Sequence, residues 1–266
     1  MDFLQDQGYN MVALPKPDIA PLQLLSQEGA HVSSLESSLQ ELFIADAAPV
    51  PATIADTEVP NLQGQKALTM GAKTGLNFLG NILKSLNLGG LKTQSDFNDA
   101  DKIVFSFENV KEDKIKLLAL DNFISGSIPD EKQFKTYTDR LKNSELFVIS
   151  AVLKCNAFSI EVLDQNNQKI DIESSLKGII EGKADFERNK DNSFKIAHQS
   201  EKNLVFAFKA VQILYDKTQW FEFWKKEQTK FTIKNQEGLV LKSEDAFPVK
   251  TLEPASELLT IKNGLF

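Results

Sequence analysis

Residues 145–162, ELFVISAVLKCNAFSIEV, decide the fold. One parity carries Leu146, Val148, Val152, Phe158, Ile160 and Val162; the other carries Phe147, Ile149, Ala151, Leu153, Cys155 and Ala157. Successive side chains of a strand point to opposite faces. Both faces of the first half are therefore apolar, which predicts a strand covered on both sides, at the centre of a sheet.

Working downstream, Asp164-Gln165-Asn166-Asn167 reads as a turn. Ile170 to Ile172, Ile179 to Phe186, Ser193 to His198 and Leu204 to Tyr215 read as further strands. The last of these (LVFAFKAVQILY) is again apolar on both faces at first. Trp220, Phe221, Phe223 and Trp224 form an aromatic cluster on a predicted short helix, a pattern that most often packs a core or a domain edge. After Asn235 the composition changes. Gly238, Pro248 and Pro254 precede an amphipathic end, ELLTIKNGLF. A chain closing on Leu-Phe does not favour leaving that end in water, so the tail reads as a strap docked on the body.

Working upstream, Ile103 to Val110 alternates apolar and polar residues and predicts a strand. Lys114 to Ser125 and Asp130 to Lys142 read as helices; the second has few apolar anchors (Phe134, Tyr137, Leu141) and reads as solvated. Residues 1–30 mix short apolar runs with Pro15, Pro17 and Pro21, with Val12-Ala13-Leu14 as a strand. Leu35, Leu39, Leu42 and Phe43 repeat at helical spacing, predicting a helix over Ser34 to Ile44, capped by Ser33 or Ser34. Residues 45–64 hold three prolines and read as a loop.

The stretch from Val59 to Ser95 differs from its surroundings. It contains no Asp or Glu but carries Lys66, Lys73, Lys84 and Lys92, in a chain whose formal net charge is -7. Within it Leu76, Leu79, Ile82, Leu83 and Leu86 repeat at helical spacing, while Gly71, Gly75, Gly80, Gly89 and Gly90 lower helix propensity and permit remodelling. Two readings stand: a surface that meets anionic lipid, or a glycine-rich loop with a short core helix.

The 266-residue chain is 42% apolar and 25% charged, ordinary for a globular protein. Its acidity argues against nucleic acid as a partner. One cysteine, Cys155, excludes an intramolecular disulfide and fits a reducing compartment. No window reaches the roughly 20 apolar residues of a spanning helix, and the N-terminus lacks the order of a signal peptide.

No catalytic constellation assembles. His31 and His198 have no Cys or acidic partner at metal-ligand spacing, and read as ordinary histidines. Mid-strand Cys155 reads as a small buried hydrophobe. Gly89-Gly90-Leu91-Lys92-Thr93 lacks the glycine spacing of a phosphate loop. Asp96, Asp99 and Asp101 lack the glycine and terminal Glu of a calcium loop; helix capping suits them better. The expectation is a protein with no enzyme activity, no metal and no cofactor.

Several runs together resemble bacterial gasdermins: Leu4-Gln5-Asp6-Gln7-Gly8-Tyr9-Asn10-Met11-Val12-Ala13-Leu14-Pro15 with Ile19-Ala20-Pro21-Leu22-Gln23-Leu24-Leu25; Phe105 to Val110; Leu146 to Cys155; and Leu204 to Ala210. The order of features is similar over nearly the whole chain, and the N-terminal run is its most specific part.

The resemblance implies an α+β fold, with a twisted, mainly antiparallel central sheet flanked by helices and a short C-terminal strap. Residues 1–240 would be a pore-forming domain and residues 241–266 an autoinhibitory peptide. It implies a cytoplasmic monomer that a protease activates, followed by a homo-oligomeric β-barrel pore in the inner membrane, and cell death in anti-phage defence. Bacterial gasdermins often carry a lipidated cysteine near the N-terminus; residues 1–10 contain no cysteine and Cys155 is not in that position, so no lipidation site is visible there. The alternative class is a non-enzymatic soluble α+β module that binds proteins.

The residues suggest how such a device would work. Leu258, Leu259, Ile261, Leu265 and Phe266 would hold the tail, each contributing roughly 1.5–3 kcal/mol if fully buried, aided by tethering. A caspase-like protease would cut between Asp245 and Ala246, a trypsin-like one after Lys242 or Lys250. Membrane insertion would fall to residues 60–110, with Lys73, Leu76, Phe78, Leu79, Ile82 and Lys84, and to residues 145–200, with Phe194 and Ile196.

Overall fold

The computed structural model describes residues 4, 7–28, 31–44, 49–59, 66–86, 97–170, 186–188, 196–215, 231–234 and 261–263. Strand β10, Leu146–Leu163, is the spine. Every residue from Leu146 to Leu153 is buried, as the two apolar parities require. One edge of β10 pairs antiparallel with β13, Ile196–Tyr215, from Phe147 opposite Gln212 to Ile160 opposite Ile196. The other edge is shared in turn by β2 (Gln23–Glu28), β8 (Lys111–Ile115) and β7 (Lys102–Glu108).

The remaining strands extend this frame. β1 (Asn10–Lys16), β12 (Phe186–Arg188) and β14 (Phe231–Lys234) pair with the far edge of β13. β3 (His31–Ser38) pairs with β2, β5 (Thr53–Glu58) with β8, and β6 (Lys66–Gly71) with β7. β11 (Lys169–Ile170) folds back on β10. β4 (Phe43–Ile44) and β9 (Ile128–Pro129) form a separate small pair. The last described strand, β15 (Ile261–Asn263), lies parallel to β3 at the sheet edge, and all other described pairings are antiparallel. Helices α1 (Ala72–Ser85), α2 (Leu117–Gly126) and α3 (Lys135–Lys142) flank the open, mainly antiparallel sheet, which is the expected α+β class.

Five local expectations are corrected. Ser34 to Ile44 is not a helix: β3 is followed by a 3-10 turn, Leu39–Leu42, and then β4. Pairing with β2 overrides the helical spacing, and no side chain caps the 3-10 turn. The 45–64 loop contains β5, whose residues are nearly all exposed and so carry no alternating signal. The helix expected from Lys114 starts at Leu117, after β8, and the one expected from Asp130 starts at Lys135. There the Asp130 carboxylate takes the Lys132 and Gln133 N–H groups at 3.1 Å, which makes a turn before the helix. Finally, the strands expected at Ser193 to His198 and Leu204 to Tyr215 are one strand, β13, that begins at Ile196.

The turn after β10 is as expected. Asp164 Oδ1 accepts the N–H groups of Asn166 at 2.8 Å and Gln168 at 2.7 Å, and Asn167 takes the left-handed conformation. Of the strand expected over Ile170 to Ile172, only Ile170 lies among the described residues. Residues 179–185 and the Trp220 to Trp224 cluster lie outside them.

A candidate membrane-insertion unit and C-terminal latch

Helix α1 is the core of the acid-free segment. Its apolar stripe, Leu76, Phe78, Leu79, Ile82 and Leu83, is buried, and Lys73 and Lys84 are exposed. The apolar face is core, as the second reading of the segment has it, and the outer face is cationic. Lys84 in the last turn complements the helix dipole, but Lys73 in the first turn opposes it.

Three contacts seat α1. The Ala72 N–H donates to the Asp101 carbonyl at 2.9 Å, which satisfies one of the helix's free N-terminal donors. Asn81 Nδ2 donates to the Ala13 carbonyl of β1 at 2.7 Å. Gly75 faces Ile103 of β7, where an added Cβ would stand 2.7 Å from the Ile103 Cβ. Glycine here permits close helix–sheet approach as well as lowering helix propensity.

A file of phenylalanines links α1 through β7 to β13. Phe78 meets Phe105 edge-on, with centroids 5.1 Å apart. Phe105 stacks on Phe107 at 6.4 Å, and Phe107 on Phe206 of β13 at 4.2 Å. Such pairs add roughly 0.5–1.5 kcal/mol each beyond area burial. The helix is also bracketed in sequence: β6 precedes it, β7 follows it, and those two strands are hydrogen-bonded neighbours.

The latch is β15. Ile261 pairs with Val32, Lys262 with Ser33 and Asn263 with Ser34. An extended segment has added itself to an open sheet edge through main-chain hydrogen bonds. Two residues past Ser34, Glu36 adopts the left-handed conformation, and its N–H donates to Ser34 Oγ at 3.1 Å. That irregularity blunts the remaining edge against further pairing.

Two charged networks brace the frame. Lys154 of β10 reaches Asp113 at 2.7 Å and Asp56 at 3.1 Å, tying β5 and β8 to the spine. Burial alone would lower the Lys154 pKa; the two carboxylates outweigh it, and the net shift is upward. The Lys154 hydrogen bond and charge hold the Asp56 carboxyl below its usual range. In the second network the Tyr9 hydroxyl donates to Glu112, which also pairs with Lys114. The Lys209 ammonium sits 4.3 Å from the Tyr9 ring centroid. Burial, then the Glu112 hydrogen bond and charge, push the Tyr9 phenol well above its normal range. Burial also pushes the Cys155 thiol up to about 12, so it is inert in this state.

The other residues singled out from sequence divide plainly. Ile261 opens β15 and Ile196 opens β13 opposite Ile160. Phe194, Lys242, Asp245, Ala246, Lys250, Leu258, Leu259, Leu265 and Phe266 lie outside the described residues. Sequence reasoning missed the Asn81–Ala13 bond and the Tyr9–Glu112 pair, which join positions remote in sequence. Among the described residues no helix is long and apolar enough to cross a membrane, and no cluster of metal-ligating side chains occurs.

Comparison with known proteins agrees with this architecture. The profile described as the Bacterial Gasdermin Family matches residues 12–221. A gasdermin from Gillisia limnaea is 40% identical over 258 residues, 97% of each chain. One from a Vitiosangium species is 31% identical over 215 residues, 79% of each. The solved structure of a bacterial gasdermin from Bradyrhizobium tropiciagri shares the fold, with a TM-score of 0.52 at 17% identity, over 80% of this chain and 85% of that one. The chain with the seated helix and the added C-terminal strand belongs to the bacterial gasdermin family.

Proposed function

We propose that this protein is an autoinhibited pore-former. Residues 1–240 form the pore-forming body and residues 241–266 the inhibitory peptide. Cleavage in the region of Lys242, Asp245, Ala246 and Lys250, by a caspase-like or trypsin-like protease, frees the tail. The monomeric, cytoplasmic body then assembles into a β-barrel in the inner membrane, and the resulting cell death limits phage spread.

The observation that carries the reading is the addition of β15 to the β3 edge. A tethered three-residue ladder holds because the tether keeps the strand at high effective concentration; once cut, the same ladder competes against free diffusion. Family membership supports the pore, and physics limits its form. A bilayer-spanning backbone must satisfy its own hydrogen bonds, so without long apolar helices a closed barrel remains. The β6–α1–β7 unit, two paired strands joined through a glycine-punctuated amphipathic helix, is suited to supply barrel strands.

The test is dye release from anionic liposomes by full-length protein carrying an engineered site near Asp245. Release after cutting, and none before, is expected. Silence in both states, with the tail shown to have left and a lipid anchor supplied, would replace this reading with a soluble binding module.

A further inference from the structure

The C-terminal strand closes on a chemically distinct dipeptide. Asn263 is the last residue of β15 and Gly264 follows it, the only Asn-Gly pair in the sequence. An Asn before Gly loses ammonia more readily than before other residues. Glycine leaves the backbone nitrogen uncrowded and lets the chain reach the conformation that ring closure needs.

A ladder suppresses that reaction by holding the backbone extended, but here the ladder stops at the pair itself. Asn263 lies opposite Ser34. Beyond Ser34 the partner strand bulges: Leu25 pairs with Ser34 but Gln23 with Ser38, so four steps along β3 answer two along β2. Glu36, inside the bulge, is left-handed. β3 therefore offers no regular rung to the residue after Asn263. Water reaches the same place. Ser34 and Glu36 border an open cavity of about 330 Å³ that Lys16, Asp18 and Gln23 also line, polar and roomy enough for solvent. A three-residue ladder at a sheet edge also opens readily.

We infer that Asn263 is a self-modification site, and that its slow deamidation springs the latch without a protease. The consequence rests on the pore-forming reading above; the chemistry does not. The Gly264 nitrogen attacks Asn263 Cγ and gives up its proton. The new C–N bond closes a five-membered succinimide, and the former side-chain amide leaves as ammonia. Water then opens the ring at one of its two carbonyls, giving aspartate or isoaspartate. Both products put a carboxylate at the Ser34 rung, close in sequence to Glu36. Isoaspartate also routes the main chain through the former side chain, which adds a methylene and takes the Asn263 carbonyl out of the ladder. With three rungs in all, the loss of one removes a large share of the latch.

The test ages uncut full-length protein in mildly alkaline buffer, where the attacking amide ionises more readily. Peptide mapping locates the converted residue, and enzymatic methyl transfer counts isoaspartate. Deuterium exchange at Val32 to Ser34 reads the latch, and dye release from anionic liposomes reads the pore. The expected result is conversion at Asn263 ahead of every other Asn, with exchange and dye release rising in proportion to it. Asn263→Gln closes a less favourable six-membered ring; it should lose the conversion and keep exchange and release at their fresh values. Gly264→Ala, which keeps the carboxamide and crowds the attacking nitrogen, should slow all three.

An intact Asn263 in aged native protein, with conversion in a denatured control, would overturn the inference, because the ladder would then be protective. Conversion with unchanged exchange at Val32 to Ser34 would overturn it too, as would equal ageing of the Asn263→Gln chain. Silence from converted protein, where freshly cut protein releases dye, would mean that the modification does not spring the latch. Conversion and faster exchange with no release even from cut protein would overturn the pore reading and leave the modified latch standing.

Discussion

Gly75 and Ile103 are locked face to face, and an added Cβ at residue 75 would come within 2.7 Å of the branched Cβ of Ile103. Ile103 is wholly buried on β7, and the atom met first is its Cβ, which is fixed to the backbone rather than the end of a flexible side chain. Helix α1 can sit where it does only if residue 75 has no side chain. Gly75→Ala should therefore lower stability by up to about 2 kcal/mol, because an overpacking cost of roughly 1–3 is set against a helix-propensity gain of about 1. Denaturant unfolding measures it. Gly71→Ser is the control: the space there is open, and the change should stay within about 0.5 kcal/mol. Equal effects at 71 and 75 would mean that close packing is not what seats the helix.

Asn81 secures the other end of the same helix through the Ala13 carbonyl. Asn81→Ala should cost roughly 1–3 kcal/mol, because a carbonyl on a buried residue loses its donor. Uncut protein should also exchange amide hydrogens in α1 faster, as deuterium uptake would reveal. Unchanged uptake would remove Asn81 from the restraint.

Main-chain pairing of β15 predicts sensitivity to proline. Lys262→Pro deletes an N–H and resists placement inside a ladder. Uncut protein carrying it should release dye from anionic liposomes, whereas Lys262→Ala should remain silent. Leakage from both, or from neither, would argue against the strand as the latch.

The Lys154 network predicts a pH response. The Asp56 pKa is lowered in the folded state, so its stabilising effect is present above the unfolded value of 3.8 and disappears as pH falls through the lower folded value. The Lys154 pKa is raised, so its effect is complete below the unfolded value of 10.5 and disappears as pH climbs through the higher folded one. In Lys154→Met the Asp56 carboxyl should titrate at higher pH, back toward 3.8, which carbon-detected NMR resolves. An unmoved titration would mean that Lys154 does not set it.

Cys155 should be silent toward thiol reagents in the closed protein. With its pKa near 12, roughly 10⁻⁴ of the thiol is ionised at pH 8, and the side chain is buried. Full reactivity should return in denaturant; rapid labelling of native protein would show that the β10–β13 ladder opens at this point.

The fold was most legible where burial and pattern coincide. The two apolar parities of Leu146 to Leu153 announce a central strand because both faces of it are covered. The pattern misleads where tertiary pairing competes with it. Leu35, Leu39, Leu42 and Phe43 are spaced for a helix, yet β2 offers His31 to Ser38 a ladder and the chain takes it. β5 is illegible because an exposed edge strand has no inner face to display. The acid-free segment stood out by charge, but why it holds its shape did not: a missing side chain at 75, one carboxamide at 81 and a carbonyl from a distant strand carry no local signature.

The spine has unequal halves. Its first eight residues are buried throughout and flanked by β13 on one edge and β2 and β8 on the other; beyond Ala157 it carries β7 and, through it, β6. The β10–β13 register slips once within the first half, at Ile149/Ala151, and twice more between the halves, at Leu153/Lys154 and at Cys155/Ala157. The molecule is thus built as a cantilever, clamped at one end and jointed before the overhang.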